Sequence, residues 1–172
     1  MTTVTVVRKE GRIAIAADTL TKWGGGKESA DYVVNHEKII RVGDSYVAIT
    51  GSATFKLILA DYFASLDEPP QLDSVASIFG VWNTLHGALK EHYYLQAGED
   101  KEEDLESSRM DVLIASPHGI FGVVAHRTVQ AFSKFYAYGS GSPYALGGDV
   151  RGVSRALARR RSGGAAGSDG GS

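Results

Sequence analysis

A chain of 172 residues is long enough for one domain with a real core, and its 43% hydrophobic and 22% charged content is ordinary for a globular protein. The net charge of -2 gives no basic footprint for nucleic acid or an anionic membrane, and the lack of cysteine excludes disulfides, thiolate zinc sites and cysteine nucleophiles. No apolar run reaches the length of about 18 residues that a membrane span needs, and the N-terminus lacks a basic-then-apolar leader, so a cytoplasmic protein is expected.

The chain begins Met1-Thr2-Thr3-Val4-Thr5-Val6-Val7, alternating polar and apolar with period two, which predicts a half-buried strand. Thr2 also carries a second reading. If Met1 is removed, its hydroxyl and free α-amine put a nucleophile and a base on one residue. The amine has a reference pKa of roughly 7.7–8.0, low enough to be partly neutral near pH 7. Taken alone, Thr2-Thr3 at the head of such a run is most often just a polar strand start.

Glu10-Gly11 supplies a turn, and residues 12–18 pair back as the second strand of a hairpin. Trp23-Gly24-Gly25-Gly26 breaks the pattern and predicts a loop. Residues 38–42 and 45–50 are two further strands around the turn at Gly43-Asp44. Gly51 closes the second of these, and Ser52 is a candidate N-cap for a helix over residues 53–66. Pro69-Pro70 stops that helix. A second helix is predicted over residues 73–95, with Val75, Ile78, Phe79, Trp82, Leu85, Leu89 and His92 as its apolar stripe.

Residues 99–106 hold six carboxylates and one lysine without an ordered ligand spacing, which predicts a solvated loop and not a metal site. The five histidines, His36, His86, His92, His118 and His126, likewise form no metal spacing and read as surface or packing residues. Strands resume over residues 110–115, 120–124 and 131–138, and a Gly/Ser loop from Gly139 runs into a helix. The order of strands, helix pair, strands and helix suits two antiparallel sheets stacked face to face with helices outside.

Five short features occur in one order: Met1-Thr2-Thr3, Ala17-Asp18, Lys38-Ile39, Thr50-Gly51-Ser52, and Tyr138-Gly139-Ser140-Gly141-Ser142-Pro143-Tyr144-Ala145. Together they make the chain resemble the proteasome β-subunit family of N-terminal nucleophile hydrolases. The nearest likeness is to short bacterial members such as the peptidase subunit of the HslUV system and bacterial proteasome homologues. The resemblance spans residues 2–147. It implies an α+β fold, a four-layer αββα sandwich, and a threonine peptidase that needs no metal or other cofactor.

The resemblance implies roles residue by residue. Thr2 is the nucleophile, its amine the base. Lys38 sits beside Thr2, where a cation disfavours protonation of the amine and stabilises an alkoxide. Asp18 pairs with Lys38 and keeps it charged. Gly51 donates its backbone N–H to the oxyanion, and Ser140 hydrogen-bonds near the Thr2 amine. Thr21, Ile49 and Ala53 line the pocket for the residue before the cut, where an apolar side chain would fit. The implied partners are further copies in stacked homo-oligomeric rings, unfolded polypeptide substrates and, by analogy, an ATP-dependent unfoldase. The alternative readings of this chain are a catalytically inactive structural subunit, favoured by its altered C-terminus, and an N-terminal nucleophile amidase acting on small amides. A polar, charged pocket in place of Ile49 and Ala53 would mark the amidase.

The domain is expected to span residues 2–150. Beyond it, Arg151, Arg155, Arg159, Arg160 and Arg161 lead into residues 162–172, all Gly, Ala or Ser except Asp169. This composition predicts a disordered tail. It departs from the family, whose C-terminal helices and strands have no match here, and reads as a truncated or frame-shifted terminus.

Overall fold

The computed structural model describes residues 2–23, 25–96 and 104–147. The opening alternation forms strand β1 (Val4–Lys9), which the turn at Glu10-Gly11 returns into β2 (Arg12–Ala17). A short hairpin follows, β3 (Thr21–Trp23) with β4 (Gly26–Glu28), in place of the predicted loop. Three-residue strands are too short to show a period, and of the glycines that suggested a loop Gly25 lies in the hairpin's turn while Gly26 opens β4. Next come β5 (Ile39–Val42) and β6 (Ser45–Ile49), then helices α1 (Thr54–Ala64) and α2 (Val75–Glu91). The chain returns as β7 (Val112–Ser116), β8 (Gly119–Val123), β9 (Val129–Phe132) and β10 (Phe135–Tyr138), ending in the six-residue α3 (Ser142–Gly147).

The strands form a five-stranded antiparallel sheet in the order β5-β6-β7-β8-β9 and a three-stranded sheet in the order β10-β1-β2. The single strand expected over residues 131–138 is therefore two. Ser133-Lys134 lets the chain leave one sheet and join the other, with the Arg8 N–H donating to the Lys134 carbonyl at 2.6 Å to start the β1–β10 pairing.

Period two sorts the central strands between two cores. In β7, Val112 and Ile114 face the helices while Leu113 and Ala115 face the second sheet; in β6, Val47 and Ile49 face the helices and Ala48 the sheet. A strand covered on both faces reads as an unbroken apolar run, as residues 112–115 do. Phe55, Leu59, Phe63, Ile78, Trp82, Leu85 and Leu89 supply the helix side of the larger core. Val4, Val6, Leu113 and Ile120 anchor the smaller one between the sheets.

Three details of the helices differ from expectation. Ser52 is not the N-cap of α1, which starts after Ala53 with no side-chain cap. The cap signal is satisfied instead on α2, where Ser74 and Ser77 form a reciprocal capping box. The buried stripe of α2 omits Val75, Phe79 and His92, all exposed, and includes His86. The acidic loop falls mostly outside the described residues, and so does the tail over residues 151–172.

The fold is the expected α+β sandwich of two antiparallel sheets with helices outside. Of its αββα layers, the described residues supply the helix pair, both sheets, and α3 beside β10 and β1.

Candidate active site

Two ladders, each extended by one residue, bring the charged groups to Thr2. At the end of the β1–β2 ladder the Asp18 N–H donates to the Thr3 carbonyl at 3.0 Å, and the Thr3 N–H donates to Asp18 Oδ1 at 2.7 Å. Asp18 is thus fixed opposite Thr3 by the same register that pairs Val4 with Ala17. At the end of the β5–β6 ladder the Ile49 N–H donates to the Lys38 carbonyl at 3.0 Å. That bond sets Lys38 in register with the strand end that leads to Gly51.

Between these ends, Lys38 Nζ donates to Asp18 Oδ1 at 2.9 Å, to the Leu20 carbonyl at 2.7 Å and to Thr2 Oγ1 at 3.3 Å. The ammonium's three protons have three acceptors. The Lys38 side chain is only 14% exposed, so its charge is poorly screened by water where it meets the hydroxyl.

Across from Lys38, the Thr2 N–H lies 3.3 Å from Ser140 Oγ, and the Gly141 N–H reaches the Thr2 carbonyl at 3.4 Å. The Thr2 nitrogen is a peptide nitrogen while Met1 is attached and becomes the α-amine once Met1 is gone. Gly139 has φ +95°, and a Cβ there would run into the Thr2 carbonyl, so this close approach requires glycine.

Thr2, Thr50, Gly51, Asp111 and Ser140 share an open cleft of about 480 Å³. Gly51 has φ +100°, and a Cβ on it would come within 2.9 Å of the Arg109 carbonyl. The preceding Thr50 is tied down twice, its N–H and Oγ1 both donating to the Asp111 carbonyl at 2.9 and 3.0 Å. Asp111 Oδ1 in turn accepts the Ala125 N–H at 2.9 Å. Tyr138, which leads into the Gly139 loop, has its phenol pushed up to about 12, first by burial and then by the neighbouring Tyr136 and Asp111.

Thr2, Asp18, Lys38, Gly51 and Ser140 thus converge. The three residues expected to form a side-chain pocket divide. Thr21 and Ala53 line a second cleft of about 260 Å³ on the Lys38 side. Ile49 does not reach it; this side chain is 4% exposed and packs in the core beneath the helices. Val33 and Leu57 line the cleft with Ala53, and Glu28, His36, Glu37 and Lys56 add polar groups to it.

The sequence reading missed the Leu20 carbonyl, a backbone acceptor with no sequence signal. It also missed Arg109 and Asp111, which sit at the border of a predicted strand. Among the described residues no group of three or more His, Asp or Glu could hold a metal ion, and no helix is long and apolar enough to cross a membrane.

No protein-family model and no curated protein matches the chain. Solved structures do. Thiobacillus denitrificans BPH shares 90% identity with a TM-score of 0.81, over 84% of this chain and 75% of that chain. The same protein in complex with epoxomicin shares 89% identity with a TM-score of 0.80 over the same shares. The chain belongs to the proteasome β-subunit family. The fold of this family extends to distant sequences: eukaryotic HslV from Trypanosoma brucei is 18% identical, with a TM-score of 0.50 over 91% of this chain and 88% of that one.

Proposed function

We propose that this proteasome β-subunit family member is a threonine endopeptidase whose nucleophile is Thr2 Oγ1 after removal of Met1. The observation that carries the reading is the Lys38 ammonium. It is held by Asp18 and the Leu20 carbonyl while directing its third proton at Thr2 Oγ1. A fixed cation there favours a negatively charged oxygen and disfavours protonation of the adjacent amine. The Thr2 amine takes the hydroxyl proton, directly or through one water, as Oγ1 adds to the peptide carbonyl. Gly51 lines the cleft, and its N–H would donate to the resulting oxyanion. Collapse expels the amine of the leaving fragment, which takes up that proton, and water then hydrolyses the ester to free Thr2. Ser140 steadies the amine throughout.

The relative bound to epoxomicin supports this reading. An epoxyketone presents two electrophilic carbons close together, which suits a hydroxyl and an amine on one residue. The larger assembly belongs to the same proposal: stacked rings of this chain in the cytoplasm, enclosing Thr2 so that only unfolded polypeptides reach it, fed by an ATP-dependent unfoldase.

Mass spectrometry of the full chain after incubation with epoxomicin tests the reading. Loss of Met1 and a single adduct on Thr2 are expected, with no adduct on Thr2→Ala and slower labelling of Thr2→Ser. A chain that retains Met1 and takes no adduct would replace the enzyme with a catalytically inactive structural subunit.

A further inference from the structure

The segment that faces the Thr2 cleft from the far side, residues 106–111, is held in an unusual conformation from two directions. Arg109 has φ 56° and Arg127, in the turn packed against it, φ 66°. Side-chain-bearing residues keep such angles when their surroundings fix them. The fixing groups are visible. His86, buried on α2, meets Ser108 Oγ through Nδ1 at 2.9 Å and the Glu106 carboxylate through Nε2 at 3.2 Å. Lys90, one turn along α2, donates to both Glu106 oxygens at 2.8 and 2.7 Å.

From the other side, buried Arg127 donates from Nη1 to the Glu106 carbonyl at 2.7 Å, and the Ser108 N–H reaches the Ala125 carbonyl at 2.6 Å. The Lys90 and His86 contacts, in that order, hold the Glu106 carboxyl below its usual range, so it remains an ionised acceptor for both. With Glu106 ionised, His86 Nε2–H is the donor to its carboxylate.

What this segment carries matters to the site. Its Arg109 carbonyl abuts Gly51, its Asp111 carbonyl holds Thr50, and Arg109, Met110 and Asp111 all line the Thr2 cleft. We infer that His86, through Ser108 and Glu106, is a positioning residue for acyl transfer: it braces the Arg109–Asp111 strand entry that fixes the Gly51 peptide opposite Thr2. His86 touches neither the cleft nor Thr2, so it acts through this chain of contacts. The inference rests on the peptidase reading for its catalytic consequence but not for its geometry.

The test uses the full chain with epoxomicin as probe. It compares wild type with Ser108→Ala, which removes one hydroxyl, with His86→Ala, and with His86→Gln, which keeps one polar partner. A small misplacement of catalytic geometry costs up to about 100-fold in rate. The expected result is therefore a fall of about 10- to 100-fold in the limiting adduct rate for His86→Ala, with the half-saturating epoxomicin concentration unchanged. Ser108→Ala should fall by less, and His86→Gln should recover part of the loss.

Amide hydrogen exchange gives the second readout. The Thr50 amide, bonded to Asp111, should exchange faster in His86→Ala while Val47, inside the β6 ladder, keeps its protection. An unchanged adduct rate with an active wild type would overturn the brace and leave the peptidase reading standing. Equal loosening of Thr50 and Val47 would overturn it as mere destabilisation. If wild type takes no adduct, the peptidase reading fails, and exchange alone decides: an unaltered Thr50 amide sinks the brace.

Discussion

Both flanks reach Thr2 at 3.3 Å, but on one side the reaching group is itself tied by short bonds to strand ends, and on the other it comes from an exposed loop. Lys38 and Asp18 are joined at 2.9 Å, and Asp18 is locked to the backbone at 2.7 Å, each residue continuing a ladder by one step. Ser140 reaches the Thr2 nitrogen at 3.3 Å from an exposed position between Gly139 and Gly141, and the following α3 buries no residue. Groups on strands are held more accurately than groups on loops. The Lys38 flank has a charge to aim, and a misdirected ammonium gives Thr2 Oγ1 little. The Ser140 flank handles a nitrogen that changes from peptide amide to amine when Met1 leaves, and a looser attachment accommodates that change. The difference teaches that electrostatic preorganisation sits in the ladders of this fold, while proton handling sits in its adjustable segment.

Breaking the tight flank should have the largest effect. Lys38→Ala removes the only cation bonded to Thr2 Oγ1 among the described residues, and adduct formation with epoxomicin should fall by about 10³-fold, the upper range for a preorganised electrostatic group. Asp18→Asn keeps an acceptor for Thr3 but drops the charge that orients Lys38. It should cost about 10²-fold, measured the same way, with little change in thermal midpoint. A loss no greater than that of the loose-flank variants would erase the distinction between the sides.

On the loose flank, Gly139→Ala should do more harm than Ser140→Ala. The alanine methyl would collide with the Thr2 carbonyl at a φ of +95°, displacing both the serine and the nucleophile. Labelling should fall by about 10²-fold. Ser140→Ala removes one exposed hydrogen bond at 3.3 Å and should slow labelling by about tenfold, toward the low end for a group assisting proton transfer. If Ser140→Ala equals Lys38→Ala, the relay is as firmly built as the ion pair.

The two flanks were not equally legible in the sequence. Asp18 and Lys38 were expected from the family resemblance, and both stand at ends of strands that were readable as strands, where the pairing carries them to Thr2. Gly51 and Gly139 are legible for a related reason, since a strand end that turns with positive φ calls for glycine. Ile49 shows the limit of that reasoning. Its place near Gly51 suggested a pocket wall, but period two turns it into the helix-side core with Val47. The β3–β4 hairpin and the split between β9 and β10 were hidden because short strands have no period to read and because an alternating run does not announce that it changes sheets. His86 sits at an α2 position indistinguishable by spacing from its apolar neighbours. Only the fold brings Ser108 and Glu106 to it across the long connection after the helix.

Tyr138 offers the finest probe of the loose flank, because it ends β10 immediately before Gly139. Its phenol donates to Gln130 Oε1 at 3.2 Å, and burial, with help from Tyr136 and Asp111, raises its pKa from 10.0 to about 12. The sign follows from linkage: the folded state keeps the proton longer than the unfolded one, whose tyrosine titrates near 10. The stability contributed by the neutral phenol is complete below about pH 10 and is lost as pH rises toward 12. In an ultraviolet titration of the native chain, one tyrosine should therefore ionise after the others, and Tyr138→Phe should remove that late step. The variant should also flatten the decline in thermal midpoint above pH 10, while leaving epoxomicin labelling at neutral pH within about twofold, because the phenol is neutral there in both states. A larger loss of labelling would mean that the end of β10 holds Gly139 and Ser140 more rigidly than their exposed loop suggests, and the contrast between the flanks would narrow from the loop side.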